Sequence, residues 1–289
     1  MKQTNVRQFF QQFPNDEVCL EQLFDVRFGQ GHECPKCKRS AKWYRLKSEQ
    51  AFSCQWCGHH VHPMVGSIFE KSRTPLQLWF YAIFLFTTTR NGVAAKELQR
   101  QLGVTYKTAW RMADRIRTHM ASVDGDEMLG GQVEVDETFV GGHTPGGQGG
   151  RGKAIVMGMI EKGGDVITQV IPDRTAKTLM GEIHEHVEPA SEVHTDEHKG
   201  YTPLTRSQNF KHGTVNHSDK EYVGDAGETT NSIEGFFSQL KRTIAGTHIS
   251  VSDKHLWKYA KECEYRFNRR MEPESMLSEL LSRFPELGA

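Results

Sequence analysis

In QVEVDETFVGG, Gln132 to Gly142, Val133 and Val135 alternate with Glu134 and Asp136. A period of two belongs to a half-buried strand, with one face apolar and the other acidic. The strand leads into two more short runs, AIVMGMIEKGG and DVITQVIPD, each β-branched, apolar and bounded by Gly or Pro. Together they read as a β-meander. TAKTLMGEIHEHVEP follows with the spacing of an amphipathic helix, and SEVHTDEHKGY then carries another short strand ending in Asp196. The pattern is three strands, a helix and a strand, and it predicts an α/β domain on a mixed sheet.

That layout brings two carboxylates, Asp136 and Asp196, from different strands toward one place. Farther on, NSIEGFFSQLKRTI reads as a helix with Glu234 in its first turn and Lys241 seven residues later on the same face. Three carboxylates from two strands and a helix suit phosphodiester cleavage. That reaction is served by two divalent ions about 4 Å apart, one activating water and one stabilising the leaving oxygen. Mg²⁺ is a hard ion and takes carboxylate oxygens with waters. The residues alone leave plainer roles open. An Asp at a strand end also serves as a turn residue, and Asn231 with Glu234 also spells a helix N-cap with its box partner.

GGQGGRGKA, Gly146 to Ala154, links the first two strands and from Gly147 spells G-x-x-x-x-G-K. A phosphate-cradling P-loop needs Ser or Thr next and then a helix. Ala154 stands there instead, and a strand pattern follows, so no nucleotide cofactor is expected. The loop reads as a flexible basic linker.

Upstream, CPKC holds Cys34 and Cys37, and CQWC holds Cys54 and Cys57, with sixteen residues between the pairs. Two such knuckles in a reducing compartment predict a tetrahedral structural Zn²⁺ site. The stretch between them alternates as a short hairpin would, so the module is a zinc ribbon, and a unit that small needs its metal to fold. His59, His60 and His62 crowd its end as exposed polar or DNA-facing residues. Cys19 and Cys263 are expected only to pack.

GVAAKELQRQLGVTYKTAWRMADRIRTHM, Gly92 to Met120, then reads as two helices joined at Gly103. Ala94, Ala95 and Leu98 make the first apolar face. Thr105 is the expected N-cap of a second helix, which carries Ala109, Trp110, Met112, Ala113 and Ile116. This is a helix-turn-helix pattern, with seven Lys or Arg between Arg90 and Met120. Thr105, Tyr106, Lys107, Thr108 and Arg111 lie at the end of the second helix that enters a major groove, with Arg115 one turn farther on. An ordinary helical hairpin with a solvated basic face is the alternative.

Composition sets the outer bounds. At 289 residues the chain has room for two or three domains. Lys plus Arg and Asp plus Glu both number 36, so any nucleic-acid argument must be regional. LQLWFYAIFLF is too short to cross a bilayer and reads as a buried helix, so no membrane association is expected. The N-terminus lacks the apolar run of a secretory signal. A cytoplasmic, nucleoid-associated location is therefore expected.

Nearly the whole chain resembles the zinc-ribbon insertion-sequence transposases, bacterial relatives of the eukaryotic Merlin elements with an RNase H-like DDE catalytic domain. The resemblance is carried by the two knuckles, AAKELQRQLGVTYKTAWRMADRIR, VEVDETFVGG, HTDEHKGY, VNHSDKEYV, TTNSIEGFFSQLKR and HLWKYAKECEYRFNRR. It implies Asp136, Asp196 and Glu234 as the catalytic acids holding two Mg²⁺ or Mn²⁺ ions, with Lys241 following. Asn231 is the alternative third residue, since some members carry Asn there. It also implies Arg151 and Lys153 as DNA-backbone contacts, set against ordinary exposed loop residues. Double-stranded DNA, as inverted repeats and target, is the implied partner, and a dimer or larger assembly is implied on it. The implied reaction is cleavage at element ends and joining of the 3′ hydroxyl to target DNA. The runner-up functions are a metal-dependent nuclease without strand transfer and a DNA-binding regulator descended from a transposase. The expected domains are an N-terminal helical segment (1–30), the ribbon (31–70), the helix-turn-helix region (71–125), the catalytic domain (126–250) and a C-terminal helical segment (251–289).

Overall fold

A computed structural model describes residues 4–125, 127–141, 152–215 and 229–284. The chain divides into two compact units, Met1–His119 with Glu272–Ala289, and Met120–Met271.

The first unit opens with helices α1 (Val6–Gln12) and α2 (Asp16–Arg27), whose N-caps Asn5 and Asn15 each accept an amide from the first turn. A small antiparallel sheet follows: β1 (Trp43–Arg45), β2 (Phe52–Cys54) and β3 (His60–Val61). Helix α3 (Leu76–Thr88) buries Leu76, Trp79, Phe80, Ile83 and Phe86, so the apolar run is a core helix. Among the described residues no helix is long and apolar enough to cross a membrane.

Helix α4 (Ala95–Leu102) ends at Gly103, which takes the left-handed conformation (φ 64°) that glycine tolerates best. Helix α5 (Tyr106–Asp124) then starts behind Thr105, whose hydroxyl accepts the amide of Thr108. Ala109, Met112, Ala113 and Ile116 are buried as expected, but Trp110 is 38% exposed beside the exposed Tyr106. The apolar stripe is therefore narrower than its composition suggests.

The second unit is built on a five-stranded mixed sheet, in the order β6-β5-β4-β7-β8. Strands β4 (Gln132–Val140), β5 (Ala154–Glu161) and β6 (Val166–Ile171) form the antiparallel meander. Helix α6 (Ala176–His186) crosses to β7 (Glu192–Thr195), and β8 (Lys211–Thr214) follows; both strands run parallel to their inner neighbours. This is the RNase H-like α/β arrangement. Because β5 begins at Ala154 itself, no helix follows the Gly-rich linker.

Each sheet face has its own core. Val133 and Val135 pack with Leu179 and Ile183 of α6. On the opposite face Val140, Val156 and Ile160 pack under α7 (Asn231–Thr243) and α8 (Asp253–Asn268). Helix α8 thus belongs with the sheet, while α9 (Ser275–Leu280) falls in the first unit.

Candidate active site

Two ligand sets stand out. In the ribbon, the sulfurs of Cys34 and Cys57 lie 3.6 Å apart and those of Cys37 and Cys54 lie 3.9 Å apart. A tetrahedral site with Zn–S bonds of about 2.3 Å has S···S edges of about 3.8 Å. The four thiols are therefore already spaced for structural zinc. Each knuckle closes on a left-handed residue just after its second Cys, Lys38 (φ 56°) in one and Gly58 (φ 69°) in the other. The amides of these two residues donate back to the carbonyls of Cys34 and Cys54. His60 pairs with Glu49 at 2.8 Å and lies outside the thiol cluster.

The second set is built by strand register. Strands β4 and β7 are parallel, with Val133 beside Val193 and Glu134 beside His194. The pairing stops there, two residues short of Asp136, and Asp136 lies close enough to Asp196 to feel its charge. Alternation along β4 turns Asp136 toward the α7 face, away from the core that holds Val133. Asp136 does not end its strand. It lies in the middle of β4, paired with Gly158 of β5. Asp196 follows β7 directly, and its Oδ1 accepts the amide of His198 in a tight turn. The turn role and a ligand role are compatible, because the second oxygen is left over.

Two features bring α7 down onto these strands. A Cβ added at Gly158 would meet Ile233 Cδ1 at 2.6 Å and the Phe237 ring at 2.9 Å, so the helix approaches where a side chain is missing. Glu134, 2% exposed, accepts the amides of Ser232 and Ile233 at 2.8 and 3.1 Å and the Ser232 hydroxyl at 3.1 Å. A carboxylate from the strand of Asp136 thus caps the helix that carries Glu234. The N-cap position itself is Thr230, which makes no side-chain cap bond, and Asn231 is the first helical residue. Asn231 therefore lies one position inside the helix and is not its N-cap, the plainer role the sequence left open.

Burial, with the charges of Glu137, Asp196 and Glu234, pushes Asp136 up to about 7, against the pull of the Glu137 amide. All three expected acids thus share one electrostatic environment. They do not form a group as tight as the thiols. Glu137 faces the other way. Burial raises its pKa, while the Tyr201 hydroxyl donates to it and Arg174 lies 3.7 Å away. The sequence reading gives Glu134 no role and does not single out Glu137 or Gly158. The available signal was parity, since a carboxylate two residues before Asp136 must share its face.

Lys241 is exposed on α7 and Lys153 half-buried before β5, and both line one cleft. Arg151 lies outside the described residues. On α5, Thr105, Tyr106, Lys107 and Arg111 are exposed and Thr108 is half-buried. Arg115 instead donates to the carbonyls of Ile68 and Glu70, both at 2.8 Å, and Arg117 is buried against Val93 and Phe86. These two guanidiniums hold the fold.

Known proteins are similar to both ends of this sequence pattern, the ribbon and the sheet. Residues 128–268 match a family model described as an ISXO2-like transposase domain, and residues 14–60 match a transposase zinc-ribbon domain. A protein in transposable element ISH50 of Halobacterium salinarum is 25% identical over 88% of this chain and 91% of its own length. A transposase-like protein of Haemophilus influenzae is 35% identical over 36% of this chain and 80% of its own. Among solved structures, the catalytic core domain of BIV integrase covers 47% of this chain and 82% of its own, at 17% identity and a TM-score of 0.31. The chain belongs to the zinc-ribbon insertion-sequence transposases with an ISXO2-like transposase domain, a family that acts on DNA.

Proposed function

We propose that this transposase is catalytically intact: it binds the inverted repeats of its element, cleaves at the element ends and joins the freed 3′ hydroxyl to target DNA. The observation that supports this most is the crowding of Asp136. A half-buried carboxylate pushed up by burial and by Asp196 and Glu234 is costly to keep on a well-packed sheet. The cost is offset when cations are bound.

Asp136, Asp196 and Glu234 are the residues that would hold two Mg²⁺ or Mn²⁺ ions. Such ions, when bound, polarise the attacking oxygen and steady the leaving one. The chain's own part is placement. The parallel pairing of β4 with β7 supports a shared place for the two Asp, and the contacts of Glu134 and Gly158 with α7 support Glu234 beside them. Water attacks in the cleavage step and the 3′ hydroxyl in the joining step, each by direct displacement at phosphorus. Thr105, Tyr106, Lys107, Thr108 and Arg111 offer the exposed polar end of α5 to a major groove. Two element ends take part in one event, so at least two copies assemble on DNA.

The test is incubation of the full chain with duplexes from the ends of its own element and Mg²⁺, resolving nicks and joined products. Nicks and joined strands are expected from the wild type and absent from Asp196→Asn. Nicks without joining would make the protein a nuclease. Tight binding without nicks in Mg²⁺ or Mn²⁺ would make it a regulator.

A further inference from the structure

Beyond the carboxylates, α7 does not end as an ordinary helix. It passes at Ile244 into a π-helical turn, Ile244–His248. Such turns are uncommon and often mark functional sites. The next residue, Ile249, has φ 66° and ψ −57°, in the positive-φ region where a β-branched side chain is strained. Its side chain gains no compensation from burial, since Ile249 is 85% exposed. A large apolar residue is thus held in a costly conformation and pointed at solvent.

Ile249 stands on the wall of a cleft of about 370 Å³, within the range of about 300–1,000 Å³ typical of small-molecule sites. Val140, Ile244 and Val251 give it an apolar lining, and Lys153 and Lys241 bring two ammonium groups to it. Lys241 is exposed and Lys153 half-buried. An apolar slot beside two cations matches a nucleotide, with a flat base for the slot and a phosphate for the lysines.

Position agrees with this. Lys241 lies seven residues beyond Glu234 on one helix, roughly 10 Å along its axis. Val140 lies four residues beyond Asp136 on one strand, roughly 13 Å away. A DNA strand advances about 3.4 Å per nucleotide, which puts the cleft about three to four nucleotides from the carboxylates. Apolar side chains that enter DNA act as wedges, parting two stacked bases at the cost of their stacking.

We propose that Ile249 is such a wedge and that the cleft lined by Lys153 and Lys241 receives a nucleotide unstacked from the DNA strand, about three to four steps from the cleaved bond. This rests on the reading of Asp136, Asp196 and Glu234 as the cleavage site and adds how the substrate strand is gripped there.

The experiment uses the full chain and element-end duplexes with 2-aminopurine placed singly at each of the nucleotides flanking the cleavage point, read before Mg²⁺ is added. In the wild type one position brightens several-fold as its base leaves the stack. In Ile249→Gly that signal is lost, and cleavage of the intact duplex falls by roughly tenfold, the scale of losing part of an unstacking contribution. The same variant melts at or above the wild-type temperature, because Gly accepts the backbone conformation without strain. A merely damaged fold would lower both quantities. An abasic site at the brightened position restores Ile249→Gly to within about twofold of wild type, since no base then remains to be unstacked. Wild-type cleavage with no position brightening overturns this inference and leaves the proposed function standing, as does an Ile249→Gly protein that cleaves normally. A wild-type protein that neither binds nor cuts the ends overturns both.

Discussion

The four thiols of the ribbon lie within 4.8 Å of one another, whereas Asp136, Asp196 and Glu234 form no group that tight. The scaffolds differ in the opposite sense. The ribbon's strands, Trp43–Arg45, Phe52–Cys54 and His60–Val61, are too short to enclose a core of their own. The carboxylates sit on a sheet with a packed core on each face. The contrast separates a site built around its ligands from one built on a finished scaffold. In the ribbon four thiols are gathered for one ion, and the few buried residues, Trp43 and Phe52 among them, pack on Phe24 of α2. In the sheet the packed cores stand on their own, and burial and the crowded acids raise the pKa of Asp136.

The largest effect should therefore fall on the ribbon. Binding of structural zinc contributes about 10–16 kcal/mol in small domains, so Cys34→Ser together with Cys57→Ser should remove the metal and unfold that module. Zinc content should drop from about one per chain to none, with exchange protection lost through residues 31–70. Full zinc occupancy in that double variant would break the comparison.

Asp136→Asn tests the other side. Cleavage should fall by about three orders of magnitude or more as metal activation is lost, while the protein stays folded. Without divalent ions it should even gain stability at neutral pH. The folded-state pKa of Asp136, about 7, lies above the ordinary Asp value of about 4. Between those limits the unfolded chain gives up the proton first, so stability falls as pH rises through the window. Asp136→Asn should flatten that part of the profile in thermal melts from pH 4 to 8. A variant that melts lower than wild type at pH 7 would show that Asp136 is held for structure.

Much of this was legible in the sequence because the signals are local. Period-two alternation gave the order of the meander, helix and strand, and knuckle spacing gave the thiol cluster. What was not legible depends on partners far along the chain. Glu134 looks like the outward face of a strand until α7, 98 residues away, supplies the amides it caps. Asn231 looks like an N-cap until Glu134 is seen doing that work. Trp110 looks like core from its chemistry and is turned outward by the pitch of α5. The π-helical turn at Ile244 carries no mark in residue type.

Glu134→Gln sharpens the comparison at intermediate scale, because it loosens the scaffold without touching a proposed metal ligand. One amide oxygen replaces two carboxylate oxygens, and an NH₂ group then faces the helix donors. Helix capping and dipole effects of this kind contribute about 1–2 kcal/mol. A comparable loss of stability is expected, with cleavage down by roughly tenfold through misplaced Glu234. Excess Mn²⁺ should recover part of the cleavage but none of the stability. Normal cleavage in a measurably destabilised variant would mean that α7 need not be fixed for catalysis.

The smallest effect lies between the two knuckles themselves. Gly58 and Lys38 hold equivalent left-handed positions, with φ of 69° and 56°. Glycine occupies that region freely, while a residue with a Cβ gives up about 1–2 kcal/mol there. Against this, Gly costs about 0.5–1 kcal/mol more in chain entropy on folding. Lys38→Gly should therefore stabilise the zinc-loaded ribbon by a few tenths to about 1 kcal/mol, and Gly58→Lys should destabilise it by a similar amount. Both changes would be read as midpoints in a chelator titration of the full chain. The knuckle turns stay bonded to the carbonyls of Cys34 and Cys54 in either case, so cleavage should not change. Opposite signs for the two substitutions are the decisive result. If both destabilise, the Lys38 side chain contributes more than its backbone costs, and the two knuckles are alike only in shape.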